Sequence, residues 1–468
     1  MRNILSAIFF VFITSIICAC SNSEYPDYSG NDDYTELADN SGESIGIINQ
    51  TNDEKTASSG SIDYLPLDDT EYPYAGIPRI VIETENHRTI KDRETEIPAK
   101  LQIWGETEPE SEIMNLTIRG RGNSSWETMP KKSYKIEFTK KQTMFGMPKD
   151  KDWALISNYA DKTLMKNYLM YHLSAKLNAY YAPQCEFVEL YINRDYLGVY
   201  LIVETIKTSP HRINIPKDEN SYIVESDGKA KKDEQIIYPN TIKNGKAFKI
   251  HAPQNASNQS LTQITKHIKN FELFLKNINE KNKNDIARWV DINECLKHYW
   301  VQEFSKNPDA GFYKANFSPE QGFFTSVYFS WIKDSTIRMG PVWDFDLAFG
   351  GHMDRDIDLP QKWHFKDSYW NAYLFKDSIL EKNRQAFWIN NIEVFYSVLD
   401  LIDSIHILLQ EVQKNNFKKW PILQSTAYYL HPNAFPNYDN AIDELKFWIR
   451  QRILWISENI SVPKARYK

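Results

Sequence analysis

The sequence predicts an α+β protein whose first half is rich in β-strands and whose second half is mainly helical. Short runs of β-branched and aromatic residues, bounded by turn-forming residues, indicate the strands. Further along, apolar residues recur at helical spacing over 261–285, over 288–304 and over most of 377–460. This order of elements predicts a β-rich lobe at about 77–255 and a helical lobe at about 256–462.

The individual elements follow from the same patterns. Asp161 has the character of an N-cap, and the apolar residues after it recur with the period of a helix. The runs at 187–192 and 196–204 predict a hairpin that turns across Asn193, Arg194 and Asp195. The other predicted strands are 80–82, 100–104, 116–118, 134–138, 153–156, 222–227, 323–329 and 337–339.

The N-terminus has the pattern of a secretory signal. Arg2 gives a positive start, and the apolar run over 4–17 is too short to cross a bilayer. Residues 17–20, Ile-Cys-Ala-Cys, resemble a bacterial lipobox, in which the signal peptide 1–19 is removed and the thiol of Cys20 is acylated. The alternative is ordinary signal cleavage beside an incidental cysteine.

Acylation of Cys20 would place the protein on a membrane, because more than one acyl chain is enough for stable anchoring. Ser21 follows the cysteine, and no Asp beside it argues for retention at the inner membrane. We therefore expect a lipoprotein of the cell envelope, held in the outer membrane. Whether it faces the periplasm or the outside is left open.

An acidic tether is expected to follow the signal, over residues 20–76. Its many Ser, Asn, Asp, Gly and Thr residues cannot bury enough apolar surface to offset the entropy of ordering. Residues 21–76 carry 13 acidic side chains against Lys55 alone; since the whole chain has a net charge of −7, the remainder has +5. That charge suits an anionic nucleotide or an acidic partner. It does not form a basic stripe, so nucleic-acid binding is not indicated.

The remaining cysteines give little information about function. Beyond the N-terminal segment the chain contains Cys185 and Cys295. In an oxidising envelope they could form a disulfide, and two separate buried thiols are the alternative. Neither belongs to a His/Cys cluster with the spacing of a zinc site.

The first candidate functional residues are acidic. The segment 340–351 carries Asp344 and Asp346 two positions apart, and in an extended chain both side chains would point to the same face. Two carboxylates in that arrangement suit a hard cation such as Mg²⁺ or Mn²⁺. A pair of acid/base groups and two polar residues that cap a strand are the alternatives. Upstream, Asp309 in the Lys-Asn-Pro-Asp sequence at 306–309 offers a third acidic loop residue.

A glycine-rich loop between two predicted strands is the second candidate. Gly120 and Gly122 would allow the backbone to approach a ligand closely, and Asn123, Ser124 and Ser125 add hydrogen-bond donors. Such a loop suits phosphate oxygens. A β-hairpin with a solvated basic tip is the alternative interpretation.

Two lysines and one glutamate extend this candidate site. Lys131 and Lys132 follow the loop, and either could reach a phosphate as a point charge. We favour Lys132 because it leads directly into the next strand. Glu204 closes the strand 196–204, where it could steady a lysine or a metal ion, or could simply end an edge strand.

These segments together resemble the CotH family of spore-coat-type atypical protein kinases. The similarity runs in order over about residues 77–460, and it is specific because so many spaced motifs match. The motifs are Arg-Gly-Asn-Ser-Ser-Trp at 121–126, Pro-Lys-Lys-Ser-Tyr at 130–134, Lys-Asp-Lys-Asp-Trp at 149–153, Asn-Tyr-Ala-Asp-Lys-Thr-Leu-Met at 158–165, Gly-Val-Tyr-Leu at 198–201 with Glu204, Arg-Ile-Asn-Ile at 212–215, Asn-Pro-Asp at 307–309 and Gly-Pro-Val-Trp-Asp-Phe-Asp at 340–346.

The resemblance implies a two-lobed, atypical protein-kinase-like fold and a reaction. The reaction is Mg²⁺–ATP-dependent transfer of a phosphoryl group to Ser or Thr of an envelope or surface protein, with Mn²⁺ as a possible substitute for Mg²⁺. By this similarity Asp344 binds the metal, Asp346 is its second ligand or a structural partner, and Asp309 orients or deprotonates the acceptor hydroxyl. Asn316 is a further candidate metal ligand.

The resemblance also implies that Lys132, with the loop 120–125, holds phosphate and that Glu204 supports it. Two other functions stay open on the sequence. One is a catalytically inactive surface lipoprotein that binds protein or glycan through its aromatic residues. The other is a carboxylate-based glycosyl enzyme, either a transferase or a hydrolase.

Overall fold

The computed structural model describes residues 67–227, 234–242, 246–279, 283–311, 324–352, 357–427 and 432–461. The predicted signal peptide, the acylated Cys20, the tether as far as residue 66 and Asn316 all lie outside these residues. Among the described residues, no helix has both the length and the apolar character needed to cross a bilayer.

Seven strands of the first half close into a β-barrel, with the strand order β1-β2-β3-β4-β5-β7-β6. Closure depends on β1 and β6, which pair in parallel from Arg79 opposite Glu189 to Ile82 opposite Ile192. Apolar side chains from alternate positions fill the interior, among them Trp153 and Tyr200. The strands are β1 (Arg79–Thr84), β2 (Ile97–Trp104), β3 (Met114–Arg121), β4 (Ser133–Met144), β5 (Met147–Ile156), β6 (Cys185–Ile192) and β7 (Asp195–Glu204).

A second sheet of five strands combines segments from both halves of the sequence. Its order is β12-β11-β8-β10-β9, and every neighbouring pair is antiparallel. The long pairing of β11 with β8 joins segments about 100 residues apart. The strands are β8 (Ser221–Ser226), β9 (Ile236–Ile237), β10 (Phe248–Ala252), β11 (Val327–Ile332) and β12 (Arg338–Met339).

Helices supply most of the remaining core, and several begin at conventional N-caps. The side chains of Asp291 and Asp377 accept hydrogen bonds from the first free backbone N–H groups of the helices that follow them. Short 3₁₀ helices cover Glu85–His87 and Lys283–Arg288. The α-helices are α1 (Ser124–Thr128), α2 (Lys166–Lys176), α3 (Asn258–Lys276), α4 (Ile292–Ser305), α5 (Asn371–Leu374), α6 (Ser378–Leu409), α7 (Val412–Lys419) and α8 (Tyr438–Asn459).

The prediction of a kinase-like fold is wrong. The first half is rich in strands, as expected, but its sheet closes into a barrel, which is not the form of a typical kinase lobe. The cause is the pairing of β1 with β6, because it joins segments more than 100 residues apart and removes both sheet edges. Local hydrophobic patterns predict strands, and they carry no information about such a pairing.

The described part of the chain starts at Leu67, ten residues before the predicted start of the domain at Ile77. Residues from Leu67 onward pack on the barrel: a guanidinium nitrogen of Arg79 lies 2.8 Å from a carboxylate oxygen of Asp69, and Tyr72 stacks on Tyr196 with 4.3 Å between ring centroids. This stretch therefore buries groups although its composition resembles the tether.

Candidate active site

The acidic segment follows β12 as irregular chain. Asp344 has φ +64°, a left-handed conformation, so the alternation of side chains expected for an extended segment does not apply. Asp344 and Asp346 are both partly exposed. Their carboxylates are nevertheless close enough for the charge of Asp344 to raise the pKa of Asp346.

Two asparagine side chains fix the backbone at Asp344. The Nδ2 group of Asn307 donates a hydrogen bond to the carbonyl oxygen of Asp344 over 2.9 Å. On the other side, Oδ1 of Asn167 accepts a hydrogen bond from the backbone N–H of Phe345 over 2.8 Å. These contacts join the acidic segment to α2 and to the chain that follows α4. They hold a sparsely populated conformation in place, as is common at functional sites.

Asp309 belongs to the same cluster. Burial raises the pKa of the Asp346 carboxyl well above its usual range, and the charges of Asp344 and then Asp309 raise it further. The backbone of Asp309 is held by Oδ1 of Asn307, which accepts from its N–H over 3.2 Å, and by the N–H of Thr325, which donates to its carbonyl over 2.9 Å. The structure thus brings together the three aspartates singled out in the sequence.

Lys166 is a member of this cluster that the sequence did not reveal. Its side chain is buried, and its Nζ lies 3.5 Å from the carbonyl oxygen of Asp346. Burial lowers the pKa of Lys166, and the charges of Asp346 and Asp161 oppose that shift. Asp161 fixes the turn before α2 by accepting hydrogen bonds from the N–H groups of Thr163 and Lys166, each over 2.8 Å. The quoted motif 158–165 ends one residue before this lysine.

Arg121 connects the glycine-rich loop to the acidic segment. Its guanidinium lies 4.8 Å from the ring centroid of Trp343, the residue immediately before Asp344 in the sequence. The hydroxyl of Tyr171 experiences both charges: burial raises its pKa well above the usual range, Asp344 raises it further, and Arg121 lowers it. Within the described chain, the Arg121 guanidinium forms no hydrogen bond or ion pair. It is therefore available to an anionic ligand.

The two candidate lysines after the loop have other contacts. Lys131 is buried, and its Nζ donates to the carbonyl of Val199 over 2.6 Å and to Oδ1 of Asn416 over 2.8 Å. Lys132 turns back toward the loop, where its Nζ donates to the carbonyl of Trp126. Neither ammonium contacts the aspartate cluster. Lys131 joins the barrel to α7, and Lys132 closes its own loop.

A pair of substitutions tests this difference. We expect Lys131→Met to lower the free energy of unfolding by about 1–3 kcal/mol, because two buried hydrogen bonds are lost, although Oδ1 of Asn416 still accepts from the backbone N–H of Val199. We expect Lys132→Met to lower the free energy of unfolding by less than about 1 kcal/mol, since the Lys132 side chain is partly exposed. Urea unfolding measures both. Equal losses would contradict the assignment of Lys131 as the buried structural lysine.

The glycine-rich loop is held by its own contacts. A Cβ at Gly120 would lie 2.4 Å from the ring of Trp126, and Gly122 has φ +107°. Oδ1 of Asn123 accepts a hydrogen bond from Nη1 of Arg93 over 2.8 Å. Ser124 and Ser125 begin α1, and Ser125 is partly exposed. The glycines are therefore required for packing and for backbone conformation.

Glu204 lies apart from this loop. It is fully buried at the end of β7, and burial raises its pKa. It accepts a hydrogen bond from the backbone N–H of Gln184 over 3.0 Å, and it faces Arg212, whose Nε is 3.6 Å away. Its charged partner is thus an arginine, and neither candidate lysine reaches it.

Cys185 and Cys295 are buried free thiols.

The aspartate cluster suits a hard divalent cation that water and substrate help to coordinate, better than an ion that protein side chains alone would coordinate. Among the described residues, no three His, Cys, Asp or Glu side chains form a group that could hold a metal ion by themselves. Mg²⁺ usually takes only one or two carboxylates and fills its other positions with water and substrate phosphate. Asp344 and Asp346 match that need. The pKa of Asp346 is raised first by burial and then by the charges of Asp344 and Asp309, and a cation beside these carboxylates would favour its ionised form.

Comparison with known proteins identifies the family. The model of the CotH kinase protein family matches residues 118–456, which include the glycine-rich loop, Lys166 and all three aspartates. A search of the curated proteins finds no match. Because the family model covers well over half of the chain, the protein belongs to the CotH kinase protein family.

Proposed function

We propose that this protein transfers the γ-phosphoryl group of Mg²⁺-bound ATP to Ser or Thr hydroxyls of a protein in the cell envelope. The observation that supports this most is the meeting of Asp309, Asp344 and Asp346 from two separate segments, with Lys166 among them and Arg121 beside them. Phosphoryl transfer needs little covalent chemistry from a protein. It needs charge placed against the phosphates and a carboxylate near the incoming hydroxyl.

Each residue has a role that its surroundings allow. Asp344 and Asp346 would hold the metal ion, which supplies charge neutralisation of the phosphate oxygens. Arg121 would bind phosphate with its open guanidinium, in place of the lysines that the sequence suggested. Asp309 would orient the acceptor hydroxyl and take its proton. Lys166 has Asp161 and Asp346 as counter-charges. It would hold the metal-binding carboxylates of Asp344 and Asp346 in position.

Arg121 and Arg119 allow a matched test of nucleotide binding. Mg²⁺ and ATP together should raise the melting temperature of the purified protein by a few degrees, because a ligand that binds only the folded state stabilises it. We expect Arg121→Ala to remove most of this rise. Arg119→Ala, on the same strand but paired with Glu96, should keep it. Equal shifts for both variants would contradict the role of Arg121.

Removing one charge from the cluster should stabilise the metal-free protein. The folded-state pKa of Asp346 lies above its unfolded value, so ionisation at pH 7 costs folding free energy. In the presence of EDTA we expect Asp346→Asn to raise the free energy of unfolding, because the neutral amide avoids the cost of ionising a buried carboxyl group. Asp334→Asn, an exposed position, is the control. A loss of stability in Asp346→Asn would show that the cluster is not repulsive.

The envelope location rests on Cys20. Radiolabelled palmitate should be incorporated into the wild-type chain in cells and not into Cys20→Ala. Labelling that persists in the variant would contradict lipidation at this residue.

A different result would favour the alternative function of a glycosyl enzyme: a nucleotide sugar that raises the melting temperature of the protein when ATP does not.

A further inference from the structure

A surface groove lies at the end of α2 opposite to Lys166. Its volume is about 470 Å³, and its walls are the C-terminal end of α2, the start of α4 and one stripe of α6. This size falls within the range of about 300–1,000 Å³ that is common for small-molecule sites. The eleven residues of α2 rise about 1.5 Å each, which separates the groove from Lys166 by roughly 16 Å. The groove is therefore distinct from the acidic site.

Asparagine side chains dominate its lining. Asn178 follows the C-terminal end of α2, Asn293 lies at the start of α4, and Asn383 and Asn390 lie on α6. All four are exposed, and within the described chain none of their side-chain amides makes a hydrogen bond. Each amide offers two N–H donors and one carbonyl acceptor. The groove thus presents several solvent-accessible donors and acceptors, not used within the protein, to one ligand.

Helix stability does not account for these residues. Asn is a poor helix former, because its side chain competes for backbone groups. On α6, Asn383, Asn390 and Asn391 nevertheless share the stripe that faces the groove. Asn391 bonds to the carbonyl of Phe387 one turn earlier over 2.8 Å, whereas the other two gain no such contact. Their amide groups face solvent and are accessible to a ligand.

The groove offers no free charge. Its one charged side chain, Lys297, donates to Oε1 of Glu294 over 2.6 Å and to the carbonyl of Asn178. The ammonium is therefore neutralised and engaged by the protein itself. Phe387, which is partly exposed, supplies an aromatic surface beside the amides. The lining suits a ligand that is uncharged, rich in hydrogen-bonding groups and apolar on one face.

We propose that this groove binds a short stretch of neutral carbohydrate. Sugar hydroxyls both donate and accept, as the four amides do, and the C–H face of a sugar ring can pack on Phe387. A peptide would call for apolar pockets for its anchoring side chains. Here the apolar lining is limited to Leu177, which is buried, and to Ala386 and Phe387.

Saturation-transfer NMR and calorimetry on the full chain test this proposal. The probes are neutral tetrasaccharides of glucose, xylose, mannose and N-acetylglucosamine, and we expect at least one to bind. The double variant Asn383→Ala, Asn390→Ala should weaken that binding about tenfold or more, since several hydrogen bonds are lost. Because Ala is the better helix former, this variant should fold.

Two controls separate this site from the rest of the protein. Asn270→Ala, an exposed position on α3 outside the groove, should leave sugar binding unchanged. Asp344→Asn should also leave it unchanged, so failure of the proposed kinase activity would not affect this result. Absence of binding for every tetrasaccharide at millimolar concentration would overturn the proposal. So would unchanged binding in the double variant, or a groove that takes up a neutral peptide in place of sugar.

Discussion

Replacing Asp344 with Asn is expected to reduce ATP-dependent phosphorylation by about 10²–10³-fold or more while leaving the fold intact. The loss is large because the substitution removes a charge that would act on the metal and phosphates in a partly enclosed site. Asn is the suitable replacement because it tolerates the left-handed conformation at φ +64°. The hydrogen bonds from Asn307 and to Asn167 involve backbone atoms, so they persist in the variant.

The measurement is transfer of labelled phosphate from ATP to the protein itself and to a general acceptor such as casein. Asp334→Asn, which changes an exposed aspartate that also has positive φ, is the matched control and should retain full activity. Circular dichroism and thermal unfolding verify that both variants fold. Activity of Asp344→Asn within about twofold of the wild type would refute the role of Asp344.

The largest loss of stability is expected for Arg452→Ala. Arg452 is fully buried in α8, and its Nη2 lies 2.6 Å from Oε1 of Glu303, which is also fully buried. Its Nη1 donates to the backbone carbonyls of Pro360 and Lys362. Removing the guanidinium would leave a buried carboxylate without its counter-charge. The free energy of unfolding should therefore fall by about 3–5 kcal/mol.

Urea unfolding measures this loss. Arg450→Ala is the control: Arg450 is exposed, so its replacement should change the free energy of unfolding by less than about 0.5 kcal/mol. A loss below about 1 kcal/mol for Arg452→Ala would mean that water reaches the pair.

The sequence predicts local elements well and fails at pairings between distant segments. The hairpin of β6 and β7 and the end of α4 before Asn307 follow from nearby turn-forming residues and appear close to where they are expected. The start of α2 does not. Asp161 was expected to cap it, but its carboxylate holds a preceding turn, and the helix begins at Lys166. The barrel depends on contacts that no local pattern contains.

The candidate site shows the same division. The resemblance to a family identified Asp309, Asp344 and Asp346, and the structure brings all three together. The resemblance could not decide which cation lies near these aspartates. Neighbouring residues of an extended chain point in opposite directions, and the sequence does not say which direction is inward. The sequence suggested Lys131 and Lys132 as the phosphate-binding cations and did not single out Arg121. Their contacts, which only the structure supplies, distinguish them: both lysine ammonium groups donate hydrogen bonds to other parts of the protein, whereas the Arg121 guanidinium makes none within the described chain.

Crystals of the protein soaked with Mn²⁺ and a non-hydrolysable ATP analogue test the central proposal most directly. Mn²⁺ scatters anomalously, so its position can be read independently of the surrounding atoms. We predict an anomalous peak beside the carboxylates of Asp344 and Asp346, with the triphosphate between that peak and Arg121. A nucleotide bound elsewhere, or no peak at these aspartates, would contradict it.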